Sequence, residues 1–395
     1  MFETLTPAPP DPILGLTEAF RKDGNQAKIN LGVGVYKDDA GNTPVLEAVQ
    51  QAEARLVASG VDKSYLSIEG SAEYGAAVRA LLFGADHAIV TGDRAVTIQT
   101  PGGTGALRIA ADFIHKMFPA AAIWISEPTW ANHIQVFEAA GLEVNTYPYF
   151  DATTNDIDLE QLLEAIDGIP TGDAILLHAC CHNPTGVDPT VEQWRTIGPR
   201  VAARGLLPFA DFAYQGFGDG IEADTAGLQV LCESNPELMI ASSFSKNFGL
   251  YNERVGALTL VGAPEAAEAA LSQLKICVRA NYSNPPAHGS HLVTTILGDP
   301  ALRALWKEEL TAMRDRINGM RQALVAKLAE MDVTRDFSFI ERQRGMFSLT
   351  GLSREQVDRL RQDRSIYIVG SGRINVAGLS DANLQAFCEA LAKVV

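Results

Sequence analysis

Ala241-Ser242-Ser243-Phe244-Ser245-Lys246-Asn247-Phe248-Gly249-Leu250-Tyr251-Asn252-Glu253-Arg254-Val255-Gly256 follows directly on the apolar run Leu238-Met239-Ile240. The run reads as a buried strand, and the hydroxyl- and glycine-rich stretch after it as the loop at its carboxyl end. A lysine there is partly desolvated. Desolvation favours the neutral amine, which can attack a carbonyl to form a Schiff base. Ser243, Ser245 and Arg254 supply hydroxyls and a guanidinium fork, which suit a phosphate. A carbonyl-reactive lysine beside a phosphate site points to pyridoxal 5′-phosphate (PLP). Taken alone, the stretch reads more readily as a polar loop carrying an ordinary surface lysine, so its surroundings must decide.

On both sides of this loop short apolar runs alternate with helical patterns. The runs are Ala95–Ile98, Ala122–Ile125, Ala174–Leu177, Leu206–Phe209, Leu238–Ala241 and Gly256–Val261, and helical spacing such as Leu107, Ile109, Ala110, Phe113 and Ile114 separates most of them. That alternation predicts an α/β domain with a mostly parallel sheet covered by helices, in which ligands sit at the carboxyl ends of the strands. Before it, Lys28–Tyr36 reads as a short strand passing into the Gly32-Val33-Gly34 turn, and a helix is predicted to begin at Thr43-Pro44. Pro7, Pro9, Pro10 and Pro12 make the first dozen residues an extended arm. After it, Asp299-Pro300 opens a long helix with apolar residues every three or four positions, from Leu302 through Trp306 and Ile317 to Leu328. Phe337–Ile340, Gly345–Leu349, Ile366–Val369 and Arg373–Val376 then read as strands, with helices over 354–361 and 381–391. The expected division is a large domain over residues 44–312 and a smaller α+β domain made of 1–43 and 313–395.

The chain has 395 residues, enough for two domains with a sizeable core, and a net charge of -16 argues against partners such as nucleic acid or an anionic membrane. Five scattered cysteines without Cys-x-x-Cys spacing suggest a reducing compartment and no zinc site. The amino terminus lacks the basic and apolar regions of a secretory signal, and no apolar run is long enough to span a membrane. A cytoplasmic location is therefore expected, and no metal.

Further polar clusters fall at the ends of the predicted strands. Thr100-Pro101-Gly102-Gly103-Thr104-Gly105 leads into a helix and offers bare backbone N–H groups and a hydroxyl at its positive end, although such glycines also serve turns for purely structural reasons. Trp130 follows the next strand and is either a core indole or a platform for a flat ring. The Asn183 amide, in Cys181-His182-Asn183-Pro184, can donate to a phenolate oxygen. His178 and His182 beside the cysteines resemble a metal set only superficially, since their donor atoms need not converge. Asp211 ends an apolar strand; a buried carboxylate needs a partner, and a protonated pyridine nitrogen is one that also withdraws electrons from a carbanion. Tyr214 is near enough in sequence to reach a ring hydroxyl. Singly, Asp211 reads equally well as a helix N-cap. The order glycine loop, tryptophan, Asn-Pro, aspartate, lysine on successive strands is what a cap does not explain.

With these motifs the sequence resembles the class I aminotransferases of PLP fold type I, most closely their bacterial aspartate branch and next their aromatic branch. The likeness runs over nearly the whole chain, including Pro12–Leu16, Asn30–Lys37, Asp211–Phe217, Ser245–Gly256 and Ser371–Gly378. It implies a large domain with a mostly parallel seven-stranded sheet and a smaller α+β domain. It also implies that Lys246 is the Schiff-base lysine and proton-transfer base, that Asp211 holds the pyridine nitrogen with His133 behind it, and that Tyr214 and Asn183 bond the ring hydroxyl. Trp130 would stack on the ring, and Gly103, Thr104, Ser243 and Arg254 would hold the phosphate. Arg373 would take the substrate α-carboxylate, with Trp130, Asn183 and Gly34 also lining the substrate pocket. Tyr65 would reach the phosphate of a neighbouring subunit and Arg279 the distal carboxylate across the interface, which implies a homodimer with shared active sites.

The implied reaction is ping-pong transfer of an amino group from L-aspartate to 2-oxoglutarate, with small dicarboxylic amino and 2-oxo acids as ligands. An aromatic aminotransferase of dual specificity is the alternative, and a PLP-dependent lyase a more distant one that two carboxylate-binding arginines disfavour. A ligand sensor fused to a DNA-binding module would need a basic helical domain for which the chain has no room. Two departures stand out: Ala131 follows Trp130 where proline is usual, and Ser64 stands where the aspartate enzymes often carry asparagine.

Overall fold

Runs of aliphatic residues build a seven-stranded sheet in the computed structural model, which describes residues 2–7, 14–331 and 333–395. In chain order its strands are β1 (Ala95–Pro101), β2 (Ile123–Glu127), β3 (Val144–Pro148), β4 (Ala174–His178), β5 (Leu207–Phe212), β6 (Leu238–Ser243) and β7 (Val255–Val261). They lie in the order β1-β7-β6-β5-β4-β2-β3. Only β7 runs antiparallel to its neighbours. The central strands β4, β6 and β7 are buried along their whole length, as expected of a sheet covered on both faces. On one side the helix Gly102–Met117 packs Ile109, Ala110 and Phe113 with Ile98, Ile125 and Leu258 of the sheet. A second cluster gathers Trp194, Ile197 and Val201 of the helix Val191–Arg204 with Ile175 and Leu177.

The chain divides into two compact units, one comprising residues 44–183 and 187–315 and the other residues 1–43, 184–186 and 316–395. The short segment Pro184–Gly186 thus groups with the second unit, a feature the expected boundaries did not contain. In that unit Ile29–Asn30 pairs in parallel with Ile366–Tyr367, and Phe347–Leu349 pairs antiparallel with Arg373–Asn375. The helix Pro300–Ala329 carries the chain from one unit into the other, opened by Asp299, whose Oδ1 accepts from the backbone N–H of Ala301 and Leu302 at 2.9 Å. No helix among the described residues is long and apolar enough to cross a membrane.

Three local expectations change. The helix predicted from Thr43-Pro44 begins instead at Glu47, because the Glu309 carboxylate accepts from the N–H groups of Glu47 (2.6 Å) and Ala48 (3.0 Å) and caps it there. Phe337–Ile340 is no strand: Asp336 accepts from the Ser338 backbone and hydroxyl, both at 2.8 Å, and turns the chain into a 3-10 helix over Ser338–Arg342. The strand β3 was not foreseen, since at the sheet edge it buries only Tyr147 fully and leaves Thr146 and Pro148 exposed, so it is no continuous apolar run. Pro9, Pro10 and Pro12 of the arm, and the start of the Pro12–Leu16 motif, lie outside the described residues.

Candidate active site

The reversed direction of β7 organises the anion-binding end of the site. Because β7 lies between β1 and β6, Val255 faces Pro101 on one side and Gly256 faces Ser243 on the other. Arg254, one residue earlier, therefore arrives between the carboxyl ends of both flanking strands. It donates to Tyr251 O at 2.9 Å, Ser245 Oγ at 3.4 Å and Pro101 O at 3.5 Å. Gly102 has φ +74°, and a Cβ there would run into the Arg254 guanidinium. A Cβ on Gly103 would come 3.1 Å from that of Ser243. Pro101 caps the helix Gly102–Met117 without a side-chain acceptor. Hydroxyls, a guanidinium and helix N–H groups thus meet around a glycine cradle too narrow for side chains, a donor set that fits a phosphate.

Lys246 lies three residues past the end of β6, partly exposed, with Nζ 4.6 Å from the centroid of the Tyr214 ring. Burial lowers its amine from 10.5 to about 8, against the opposing charge of Asp211. A measurable consequence concerns the cofactor-free protein. The folded value lies below the unfolded one, so the unfolded chain binds more protons between about pH 8 and 10.5, and stability rises with pH across that window. Relative to Lys246→Met, the wild-type apoprotein should gain about 2–3 kcal/mol between those limits in urea titrations, after allowance for partial exposure. Parallel pH profiles for the two proteins would show that the amine is not desolvated.

Asp211 lies in the strand β5, with no helix for it to cap, and receives His133 Nε2 at 3.1 Å on Oδ2. Burial alone would raise its carboxyl, but the hydrogen bond and charge of His133 outweigh that and hold it below the usual carboxylate value. Behind this pair runs a buried chain. Thr129 Oγ1 lies 2.8 Å from His133 Nδ1 and 3.2 Å from His178 Nε2, and His178 faces Asp211 across β4 and β5. Burial pushes His178 down to about 3, so its ring is neutral. With Asp211 ionised, His133 Nε2 donates to the carboxylate, and the Thr129 hydroxyl links the two rings by donating to one of them and accepting from the other. His133, His178 and Asp211 also bring one potential metal-ligand atom each within 4.8 Å of one another, but the same atoms serve these hydrogen bonds. Thr129 and His178 are the members not foreseen as site residues. Their one sequence signal is that each stands at or just beyond a strand end.

Trp130 meets the His133 ring edge-on, with centroids 5.2 Å apart. Ala131 has φ -54°, which a proline also adopts, so this departure leaves the turn unchanged. Asn183 is buried in the loop after β4, which Asp188 secures by accepting from Cys181 N at 2.6 Å and His182 N at 2.8 Å. Tyr65 and Arg279 stand apart from this cluster: Tyr65 is 93 % exposed, and Arg279 is an exposed residue whose Nη1 donates to Ser283 Oγ. Beside Tyr65 a cavity of about 660 Å³ is lined by Val57, Val61, Ser64, Asn284 and His291 among others. Gly34 and Arg373 belong to the smaller unit, where Arg373 is buried, donates from Nη2 to Gly32 O at 2.9 Å and lies 4.0 Å above the Phe347 ring.

Comparison with known proteins extends over the full chain. The chain is 53 % identical over 396 residues to an aspartate aminotransferase of Escherichia coli (strain K12), with 100 % of both sequences covered. It is 46 % identical over 397 residues to an aromatic-amino-acid aminotransferase of the same bacterium, again with 100 % of both covered. The solved structure of an aromatic-amino-acid aminotransferase from Burkholderia pseudomallei, covalently bound to pyridoxal phosphate, superposes with a TM-score of 0.97 at 49 % identity, covering 100 % of this chain and 99 % of that one. The sequence model described as aminotransferase class I and II matches residues 26–391, and on these grounds the chain belongs to the class I and II aminotransferases.

Proposed function

We propose that the protein is a PLP-dependent transaminase that moves the amino group of L-aspartate to 2-oxoglutarate by ping-pong chemistry and also accepts aromatic amino acids at a lower rate. The observation that carries the proposal is Lys246, an amine lowered to about 8, set between an anion cradle and a buried carboxylate held ionised by His133. When bound, PLP supplies an electron-poor ring that stabilises negative charge at the substrate α-carbon. Lys246 provides the attachment amine and afterwards the base that carries the proton from the α-carbon. Asp211 keeps a proton on the ring nitrogen, with His133, Thr129 and His178 fixing the carboxylate. Tyr214 and Asn183 donate to the ring oxygen, Trp130 covers the ring, and Gly103, Thr104, Ser243 and Arg254 hold the phosphate. Arg373 pairs with the α-carboxylate shared by all amino acid substrates, and Gly34 leaves room on the pocket wall.

The proposal includes a homodimer in which Tyr65 and Arg279 complete the neighbouring site. Their exposure in the single chain, together with the exposed Val57 and the adjoining cavity, supports this reading. Five free thiols support a reducing, cytoplasmic setting. The residue division 44–312 against 1–43 and 313–395 is proposed as the working division into a cofactor domain and a smaller one.

Specificity rests on Arg279. A neighbour's site that buries this guanidinium favours a second carboxylate, since an uncharged side chain leaves it unpaired. Arg279→Leu should cost aspartate and glutamate about 2–5 kcal/mol in kcat/KM and cost phenylalanine far less. A donor panel on both proteins decides it. Preference of the wild type for phenylalanine, or equal losses on both substrates, would move the protein to the aromatic branch, to which Ser64 already lends extra space.

A further inference from the structure

We propose that Phe347 is a positioning residue for Arg373, its ring serving as the platform that fixes the height and tilt of the carboxylate-binding guanidinium. The proposal rests on the reading of Arg373 given above. Phe347 and Arg373 are each 4 % exposed, and the guanidinium carbon lies 4.0 Å from the ring centroid. A guanidinium lying on an aromatic face is attracted to the ring while its N–H edges stay available for in-plane pairing with a carboxylate.

The ring is held at its tip and along its strand. A Cβ on Gly34 would stand 2.8 Å from Phe347 Cζ, so only glycine lets the 31–35 segment lie against the ring. That segment is tied to the strand carrying Arg373: Asn375 Nδ2 donates to Val33 O at 2.7 Å and Val35 O at 2.9 Å, and Asn375 N to Leu31 O at 2.7 Å. Within the two-stranded ladder Leu349 faces Arg373 and Phe347 faces Asn375. Arg321, 1 % exposed, donates from Nη2 to Gly345 O at 2.6 Å and Phe347 O at 3.3 Å, and from Nε to Ser348 Oγ at 3.3 Å. Ring, guanidinium and loop are thus joined by a continuous set of contacts and hydrogen bonds. A ring that merely filled the core would not need its face aligned with a buried cation.

The consequence is a defect common to every substrate, because each brings the same α-carboxylate. In the PLP-loaded enzyme, Phe347→Leu should raise KM for aspartate, phenylalanine and 2-oxoglutarate alike by about tenfold, the loss of one desolvated cation–π contact, with kcat within about threefold. Propionate, which offers one carboxylate and no amino group, should bind weaker by the same factor in calorimetry. 2,3,5,6-Tetrafluorophenylalanine at position 347 keeps the ring, leaves bare the Cζ that abuts Gly34 and draws negative charge off the ring face, so it should reproduce the KM defect with little change in melting temperature, which keeps the test valid if the leucine variant fails to fold. Unchanged KM in the tetrafluoro protein, a loss confined to kcat, or a loss confined to dicarboxylic substrates would overturn the proposal. Arg373→Leu separates the two readings: if it leaves propionate binding intact, the carboxylate role of Arg373 itself is wrong, whereas if it abolishes binding while the tetrafluoro protein behaves as wild type, only the platform role falls.

Discussion

Lys246→Ala is expected to lower transamination by about six orders of magnitude, the scale at which loss of a nucleophile that also acts as base is felt. The variant removes both the attachment point and the proton carrier, and no other amine in the described site stands over Tyr214. The anion cradle of Ser243, Ser245, Arg254 and the glycine turn is untouched, so the variant should still take up PLP without a covalent bond. Two measurements separate these effects. Turnover should vanish on a donor panel, and borohydride treatment should fix the cofactor to the wild-type chain but leave it removable from the variant. Turnover at the wild-type level in Lys246→Ala would dismiss the lysine from the chemistry.

The second large effect concerns Asp211. A protonated ring nitrogen beside a vacated carboxylate position loses a buried charge partner, which costs about 3–5 kcal/mol, or two to four orders of magnitude if the whole loss falls on the transition state. Asp211→Ala should show that loss in kcat. Asp211→Glu retains the charge and should be much milder, even though the longer side chain disturbs the 3.1 Å contact with His133. The pH profile adds a second readout: His133 and burial act on the carboxyl in opposite senses, with His133 prevailing, so His133→Phe should let the Asp211 value rise and move the acid limb of kcat to higher pH. Equal activity of the alanine and glutamate variants would reduce the aspartate to a structural strand residue.

Much of the large unit could be read from the chain because its strands are continuous aliphatic runs separated by helical spacing, and Asp211, Ser243 and Lys246 stand at or just past the ends of such runs. The edge strand Val144–Pro148 escaped because half its surface faces solvent and its pattern is mixed. The later start of the helix at Glu47 depends on Glu309, some 260 positions away, and no local signal reveals such a cap. The relay through Thr129 and His178 was likewise invisible: it exists because β4 and β5 pair in a register that sets His178 opposite Asp211, and register is not written in composition. Phe347 reads as one more strand aromatic until the guanidinium of Arg373, from the neighbouring strand, is seen to lie over its ring.

The strand that runs against its neighbours makes the segment between it and β6 a ruler. Lys246 and Arg254 are set by one continuous loop, anchored where Trp306 Nε1 donates to Asn247 O at 2.7 Å and where Asn247 Nδ2 donates to Gln215 O at 3.2 Å. Had this strand been parallel, its first residue would lie at the amino ends of its neighbours, and the arginine before it would stand a strand's length from the lysine. As built, the turn from Lys246 to Arg254 is a fixed count of residues, with Arg254 placed by the pairing of β7 and Lys246 by the contacts of Asn247. An insertion of the kind that surface loops absorb elsewhere would here have to shift the lysine against the arginine, so on the roles proposed for these two residues the turn favours one length of bound molecule as well as one sign of charge.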